Sequence, residues 1–369
     1  MSDDQTKDIT HKKGSTLAKS KKKIQCVSDE IISFLESLSP TENKIAISTH
    51  EMPDPDGIGA ARGLQWLLMK KFGLSANIYY KGEISHPQNR TMVNMLDIHL
   101  HPIEEFEDND NVKKICIDCT EKNSPFESAD IVIDHHRITS NADISWIEPV
   151  GSASTLVFEL IQKCEVNFEE EIELDVATSL FLGIRVDTQE LISENTTDRD
   201  FESFKHLSEF LNRKKLSSII NYPLPNYFFE LEREINKLNQ DGEFVNQKVN
   251  GSCFVGCIGV ISSAKRDSII MLVDKAVRME GIETAVVFGV IGDNLVASIR
   301  SDNSSLDVNT FSQSIFGKKH GGGKLGSAGA SVPLGIFNLN DVPESTKEKL
   351  WDAIKETVFH KVFHIVTGN

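Results

Sequence analysis

The stretch Lys44-Ile45-Ala46-Ile47-Ser48-Thr49-His50-Glu51-Met52-Pro53-Asp54-Pro55-Asp56-Gly57-Ile58-Gly59 decides how the chain reads. Residues 44–49 are apolar and β-branched, the pattern of a buried strand. Ala60-Ala61-Arg62-Gly63-Leu64-Gln65-Trp66-Leu67-Leu68 follows and reads as a helix. Residues 50–59 are therefore the loop at the carboxyl end of a strand, where open α/β sheets place their ligands. The loop carries one imidazole and two carboxylates with little bulk between them. Hard divalent cations such as Mn²⁺ or Mg²⁺ take such oxygen and nitrogen ligands. Asp54 and Asp56 are two apart, so in an extended loop they point the same way and can each serve a different ion of a pair. The same residues also suit an acidic turn that caps a helix.

Working outward, the spacing predicts a helix over 24–38, a second strand at Asn77-Ile78-Tyr79-Tyr80, and an irregular segment over 86–107. A strand ends at Asp118 and another, Ala129-Asp130-Ile131-Val132-Ile133, ends in Asp134-His135-His136. Helices follow from Gly151-Ser152-Ala153-Ser154-Thr155 through Leu160, over 169–183 and over 198–211, with Asp187 just after the second. Strands alternating with helices predict an α/β fold, an N-terminal domain with a mostly parallel sheet and helices on both faces. Residues 216–242 read as a connector. After it the pattern restarts as a smaller C-terminal α/β domain with strands near 253–260, 284–290 and 294–300 and helices near 267–280, 306–316 and 345–358. The expected boundaries are a disordered tail 1–23, a catalytic domain 24–215, the linker and a substrate-binding domain 243–369, with the active site in the cleft between the domains.

The chain has 369 residues, an apolar fraction of 39% and a net charge of −16. No run of about 18 apolar residues marks a membrane span, and no apolar core marks a signal peptide. A protein gripping long duplex DNA through its phosphates is usually basic; this balance favours a small or short anionic substrate. The lysines of the tail would suit a nucleic-acid-binding arm, but acidic residues dilute them. The six cysteines include Cys116-x-x-Cys119 and Cys253-x-x-x-Cys257, which invite a zinc reading. Both pairs lie in apolar strands, where buried core thiols explain them more simply. The expected compartment is the reduced cytoplasm.

Strand ends at 50/54/56, 118, 134–136 and 187 would converge on one edge of a parallel sheet. The collected set is His50, Asp54, Asp56, Asp118, Asp134, His135, His136 and Asp187. One acidic strand end is usually a cap or a turn; four of them, two with histidine, supply enough ligands for two octahedral ions.

In motif order these residues resemble the DHH phosphoesterase family: His50-x-x-Pro53-Asp54-x-Asp56-Gly57, the strand-end Asp118, Asp134-His135-His136, and Gly183-Ile184-x-x-Asp187-Thr188. The C-terminal part is similar to the first form of the DHH-associated domain, whose glycine motif runs Gly-Gly-Gly-His-x-x-Ala-Ala-Gly. The resemblance implies two Mn²⁺, with Mg²⁺ or Co²⁺ as substitutes. His50 and Asp54 would hold one ion, Asp56, His135 and Asp187 the other, and Asp118 would bridge them. Asp134 would orient His135, and His136 would face the substrate phosphate.

For the substrate, the resemblance points to Arg300, His320, Gly321, Gly322, Gly323 and Lys324. Glycines let backbone N–H groups approach a phosphate or base, and Arg300 is a phosphate partner. The family usually has histidine at position 324; lysine keeps a cation but loses imidazole chemistry, and His320 lies close by in sequence. The implied activity is hydrolysis of short oligonucleotides or linear dinucleotides to 5′-mononucleotides. Cyclic dinucleotides and adenosine 3′,5′-bisphosphate are the alternative substrates, and a nucleotide-binding regulatory protein is the non-enzymatic one. The expected partners exclude long duplex DNA and membranes and are compatible with a homodimer.

Overall fold

The computed structural model describes residues 27–324, 326–339 and 342–367. The tail expected over 1–23 lies outside them. The chain divides into two units between Tyr222 and Pro223, inside the stretch read as a connector.

The first unit begins with helix α1 (27–37). It continues as β1 (Lys44–Ser48), α2 (Pro55–Phe72), β2 (Ala76–Tyr80), α3 (Pro87–Met95), β3 (Leu100–Pro102), β4 (Val112–Ile117), β5 (Ile131–Asp134) and β6 (Ile144–Ile147). It closes with α4 (Ala153–Lys163), α5 (Glu171–Asp187), α6 (Asp198–Leu207) and α7 (Arg213–Ile220). The sheet has six strands in the order β3-β2-β1-β4-β5-β6, and every neighbouring pair is parallel. The chain winds from β1 to β3 in one direction and from β4 to β6 in the other. The reversal lies between β1 and β4, and outside the carboxyl ends of the strands at such a switch point is where open α/β sheets bind ligands.

Alternation assigns the strand faces. Ile45, Ile47, Ile115, Ile117, Ile131 and Ile133 join the large core with α2, α4 and α5. Ala46, Cys116 and Val132 point the other way, into a smaller cluster with Cys119 and Phe126. Small residues let α2 and α5 meet backbone to backbone. A Cβ on Gly59 would lie 2.3 Å from the Ser179 carbonyl oxygen, and one on Gly183 would lie 2.8 Å from Asp56 Oδ1. The segment expected to be irregular contains α3, whose first turn is capped by the His86 side chain accepting from Gln88 N. Cys116, Cys119, Cys253 and Cys257 are buried free thiols.

The second unit contains α8 (Asn226–Ile235), β7 (Gln247–Asn250), β8 (Cys253–Ile261), α9 (Ser268–Ala276), β9 (Thr284–Ile291) and β10 (Asn294–Ser301). It ends with α10 (Val308–Phe316), β11 (Gly321–Lys324), β12 (Ser327–Pro333) and α11 (Glu344–Thr367). Its six-stranded sheet runs β11-β12-β10-β9-β8-β7; only β8 and β9 pair in parallel. The glycine-rich stretch read as a loop is instead the β11–β12 hairpin. Its pairing with β12 supplies the strand order that glycine's own propensity lacks. Among the described residues no helix is long and apolar enough to cross a membrane.

Candidate metal centre

His50 follows β1, and its Nδ1 bonds the Glu51 carbonyl oxygen at 2.9 Å. That turns Nε2 to within 3.6 Å of Asp54 Oδ1 and 3.6 Å of Asp118 Oδ2. Asp54 is also the N-cap of α2: its Oδ1 accepts from Asp56 N and Gly57 N, both at 3.0 Å. The capping reading of this acid therefore holds, and the same carboxylate lies beside His50.

Asp56 sits inside the first turn of α2 and is fully buried. Its Oδ2 accepts from Ala153 N at 2.6 Å and its Oδ1 from Ser154 N at 2.9 Å, so the carboxylate faces the N-terminus of α4, where the helix dipole favours an anion. His135 Nε2 lies 3.8 Å from Asp56 Oδ2, 3.2 Å from Asp118 Oδ1 and 3.2 Å from Asp187 Oδ2.

These distances gather adjoining groups, His50/Asp54/Asp118 and Asp56/His135/Asp187, with a third, Asp118/Asp134/His135/His136, overlapping them. Asp118 turns Oδ2 to the first and Oδ1 to the second. The first is the outer set: the His50 and Asp54 side chains are 23% and 41% exposed, against 8% for His135 and 1% for Asp56. Asp118 itself has φ +57°, a left-handed conformation that Asp tolerates better than most residues.

Two expectations change. Asp187 does not end a strand; it is the last residue of α5. Asp134 does not orient His135. Its Oδ1 accepts from the His136 backbone N at 3.0 Å and from His136 Nδ1 at 2.9 Å, while His135 Nδ1 bonds the Val150 carbonyl oxygen at 3.1 Å. Successive residues at a strand end project to different sides, so the acid meets the second imidazole. His136 thereby lies half-exposed beside Asp118, its Nδ1 3.7 Å from Asp118 Oδ1.

The electrostatics are those of a cluster built for cations. Burial works against protonation of His50, yet its bond to Asp54 and the charges of Asp54 and Asp118 hold it up at about 10. Burial likewise opposes protonation of His135, and Asp118, Asp56 and Asp187 overcome it, again to about 10. Asp54 resists burial through its bond to His50 and falls to about 2. Burial raises Asp56, with the charge of Asp118 next, and burial raises Asp118. Asp118 Oδ1 and His135 Nε2 are buried without a well-formed hydrogen bond, a costly state. A divalent ion between carboxylates and imidazoles removes that cost, so these residues fit one.

The remaining candidates lie in the second unit. Arg300 Nε is 2.7 Å from Asp274 Oδ1, so this arginine already has a carboxylate partner. Of the glycine N–H groups, Gly321 N donates to the Gly317 carbonyl oxygen at 2.9 Å and Gly323 N to Asn309 Oδ1 at 3.1 Å. Gly321 also serves packing, since a Cβ there would lie 2.6 Å from Ser312 Oγ. Gly322 has open space at that position, with Asn309 Oδ1 3.8 Å away. His320 is exposed, and its N donates to the Gly317 carbonyl oxygen at 3.0 Å. Lys324 ends β11, and its side chain lies outside the described structure.

Sequence reading missed the residues that hold the candidate side chains in place. Val150, Ala153 and Ser154 act through backbone groups, and Asn89 Nδ2 anchors the site loop through the Pro53 carbonyl oxygen at 3.2 Å.

A parallel sheet whose switch point collects imidazoles and carboxylates around one acid defines a class, that of α/β domains with a candidate site for divalent metal. Residues 44–184 match the model of the DHH family, N-terminal domain, and this part of the chain belongs to that family. An uncharacterized protein of Methanocaldococcus jannaschii, MJ1633, is 30% identical over 327 residues, 87% of this chain and 64% of that protein. A probable manganese-dependent inorganic pyrophosphatase of Streptococcus thermophilus is 29% identical over 170 residues, 43% of this chain and 52% of its own length. The chain thus spans less than two thirds of these relatives. The solved structure of an exopolyphosphatase-related protein from Bacteroides fragilis has the same fold, with TM-score 0.61 and 17% identity over 90% of this chain and 96% of that one.

Proposed function

We propose that the chain is a metal-dependent phosphoesterase that hydrolyses short oligonucleotides or linear dinucleotides to 5′-mononucleotides, using two Mn²⁺. The observation that carries the reading is Asp118, whose two oxygens face two separate ligand sets. His50 and Asp54 would hold the outer ion, Asp56, His135 and Asp187 the inner one, and Asp118 both. The manganese named for the streptococcal relative supports the choice of ion. When bound, such a pair supplies Lewis acidity and a water of lowered pKa.

The chain's own residues do the rest. His136 turns Nδ1 to Asp134 at 2.9 Å, which leaves the other edge of a half-exposed ring for the phosphate. Arg300, held by Asp274, and the hairpin of the second unit would take the remainder of the substrate. The chain's acidity argues against gripping long DNA.

The test is a product profile with Mn²⁺ on di- to deca-nucleotides, cyclic dinucleotides, adenosine 3′,5′-bisphosphate and pyrophosphate. Dinucleotides should be cleaved best, with efficiency falling as length grows. Fastest degradation of long strands would refute the size argument, and turnover of pyrophosphate alone would refute the nucleotide one.

A further inference from the structure

One turn outside the ligand set touches two ligands of the inner site at once. The Val150 carbonyl oxygen fixes the His135 ring at 3.1 Å. Ala153 N and Ser154 N fix the Asp56 carboxylate at 2.6 and 2.9 Å. The aim of both ligands therefore depends on where residues 150–154 lie.

That position is set by Asp200, a fully buried acid near the start of α6. Its Oδ2 accepts from Gly151 N at 2.8 Å, and its Oδ1 from Thr155 Oγ1 at 2.6 Å. The same Oδ2 takes Thr197 N at 2.8 Å and Thr197 Oγ1 at 2.7 Å, within the capping box of α6. Burying a carboxylate is expensive unless donors surround it, and here the donors come from both elements. Gly151 must lack a side chain for this approach: a Cβ would lie 2.6 Å from Thr188 Cγ2 and 2.8 Å from Asp200 Oδ2. Thr188 in turn follows the ligand Asp187.

We propose that Asp200 is a positioning residue for the inner metal site, acting on His135 and Asp56 through the 150–155 turn. A cap confined to α6 would need only the two bonds from Thr197. The bonds to Gly151 and Thr155 cross to the turn that starts α4, and they are the ones that reach the ligands. Residues that orient metal ligands typically change metal affinity ten- to a hundredfold when removed.

This inference rests on the two-metal reading above. The experiment is calorimetric titration of the metal-free full chain with MnCl₂, alongside circular dichroism and thermal unfolding. Two binding steps are expected for the wild type, and Asp56→Asn, which damages an inner ligand, identifies the inner one. Asp200→Ala should weaken that step by about ten- to a hundredfold and leave the outer step unchanged. Asp200→Asn should restore most of the affinity, because its carbonyl can accept from Gly151 N and its amide can donate to the Thr155 hydroxyl. A folded Asp200→Ala protein with both steps unchanged, or with both weakened equally, overturns the proposal. If Asp200→Ala does not fold, Thr155→Val decides: a three- to tenfold loss at the inner step, the share of about one hydrogen bond, supports it, and unchanged affinity overturns it. A wild-type chain that takes up no Mn²⁺ defeats the metal reading itself, a different failure.

Discussion

Replacing Asp118 by Asn should make the metal-free protein more stable and the metal-loaded protein inactive. The side chain is 3% exposed, and burial raises its pKa, so the ionised form opposes folding at neutral pH. Its Oδ1 lacks a well-formed bond. Asn has the same shape and tolerates the same left-handed backbone, so the substitution removes the charge and little else. A buried charge that its surroundings do not fully compensate costs the fold about 1–3 kcal/mol more than a neutral amide in its place. At about 2–4 °C per kcal/mol for a unit of this size, the melting temperature of the EDTA-treated variant should rise by roughly 2–12 °C. Mn²⁺ should reverse the order. A site-specific ligand at a hundredfold excess over its Kd adds about 2.7 kcal/mol to the wild type and much less to a variant that has lost the shared ligand. Differential scanning calorimetry with and without Mn²⁺ at pH 7.5, run beside a dinucleotide hydrolysis assay, measures all of this. A metal-free variant less stable than wild type would show that His50 and His135 more than neutralise Asp118. Retained hydrolysis at saturating Mn²⁺ would refute the shared-ligand role outright.

The histidines make stability depend on pH. Held at about 10 in the folded state against an ordinary 6.5, they stabilise the metal-free protein fully below about 6.5 and lose that contribution as pH rises through 10; the raised Asp56 and Asp118 act in the same direction. Urea unfolding of the metal-free chain should weaken from pH 6.5 to 10, and Mn²⁺ should flatten the trend by taking the place of protons; a flat metal-free profile counts against the cluster. Calorimetry in two buffers of different ionisation heat should detect about two protons released per chain at pH 7.5. Gly183→Ala places a methyl against Asp56 and Ser154, and overpacking of this kind should cost about 1–3 kcal/mol and weaken Mn²⁺ binding; a neutral variant would mean that α2 and α5 separate easily. EDTA should abolish activity, and Mn²⁺ should restore more than Zn²⁺ or Ca²⁺ because zinc prefers a smaller tetrahedral shell and calcium more oxygens; full activity of chain shown metal-free by elemental analysis would refute metal dependence.

The strand ends were legible because β1, β4 and β5 are short apolar runs cut off by polar residues. Asp54 announced itself twice, as a cap and as a ligand type. Asp187 was misplaced because α5 is buried on nearly every side from Val176 to Ile184, which erases the polar face that marks a helix, and Ile184-Arg185-Val186 imitates strand alternation. The partner of Asp134 was out of reach because sequence order does not say which of two adjacent imidazoles turns toward an acid. Glycines 321–323 read as a loop because nothing local favours a strand there; the pairing with β12 decides it. The residues that aim the ligands stayed hidden for a related reason. Val150 and Ala153 contribute backbone atoms, and Asp200 looks like any acid in the first turn of a helix until the fold brings Gly151 to it.

The helix ends explain why this cluster calls for a cation. Asp54 and Asp56 lie at the N-terminus of α2, and Asp56 also takes the first N–H groups of α4, so positive helix ends already favour these two acids. Asp187 is placed the opposite way. It ends α5, where the dipole is negative and a carboxylate is disfavoured by about 0.3–1 kcal/mol. Gln189, Glu190 and Leu191 then turn the chain away with φ of 51°, 64° and 67°, a left-handed reversal that costs roughly 1–2 kcal/mol per residue. A strained turn therefore keeps an acid at the wrong end of a helix, beside the raised acids Asp56 and Asp118. Protonated His135 offsets this in part, at 3.2 Å from Asp187 and 3.2 Å from Asp118. A divalent ion would satisfy the helix end, Asp187, Asp56 and Asp118 together and free His135 to act as a neutral ligand. The arrangement is unfavourable for a folded chain alone and favourable for one that binds a divalent cation, so strain and charge at Asp187 favour a cation beside it, as the buried charges of Asp56 and Asp118 do.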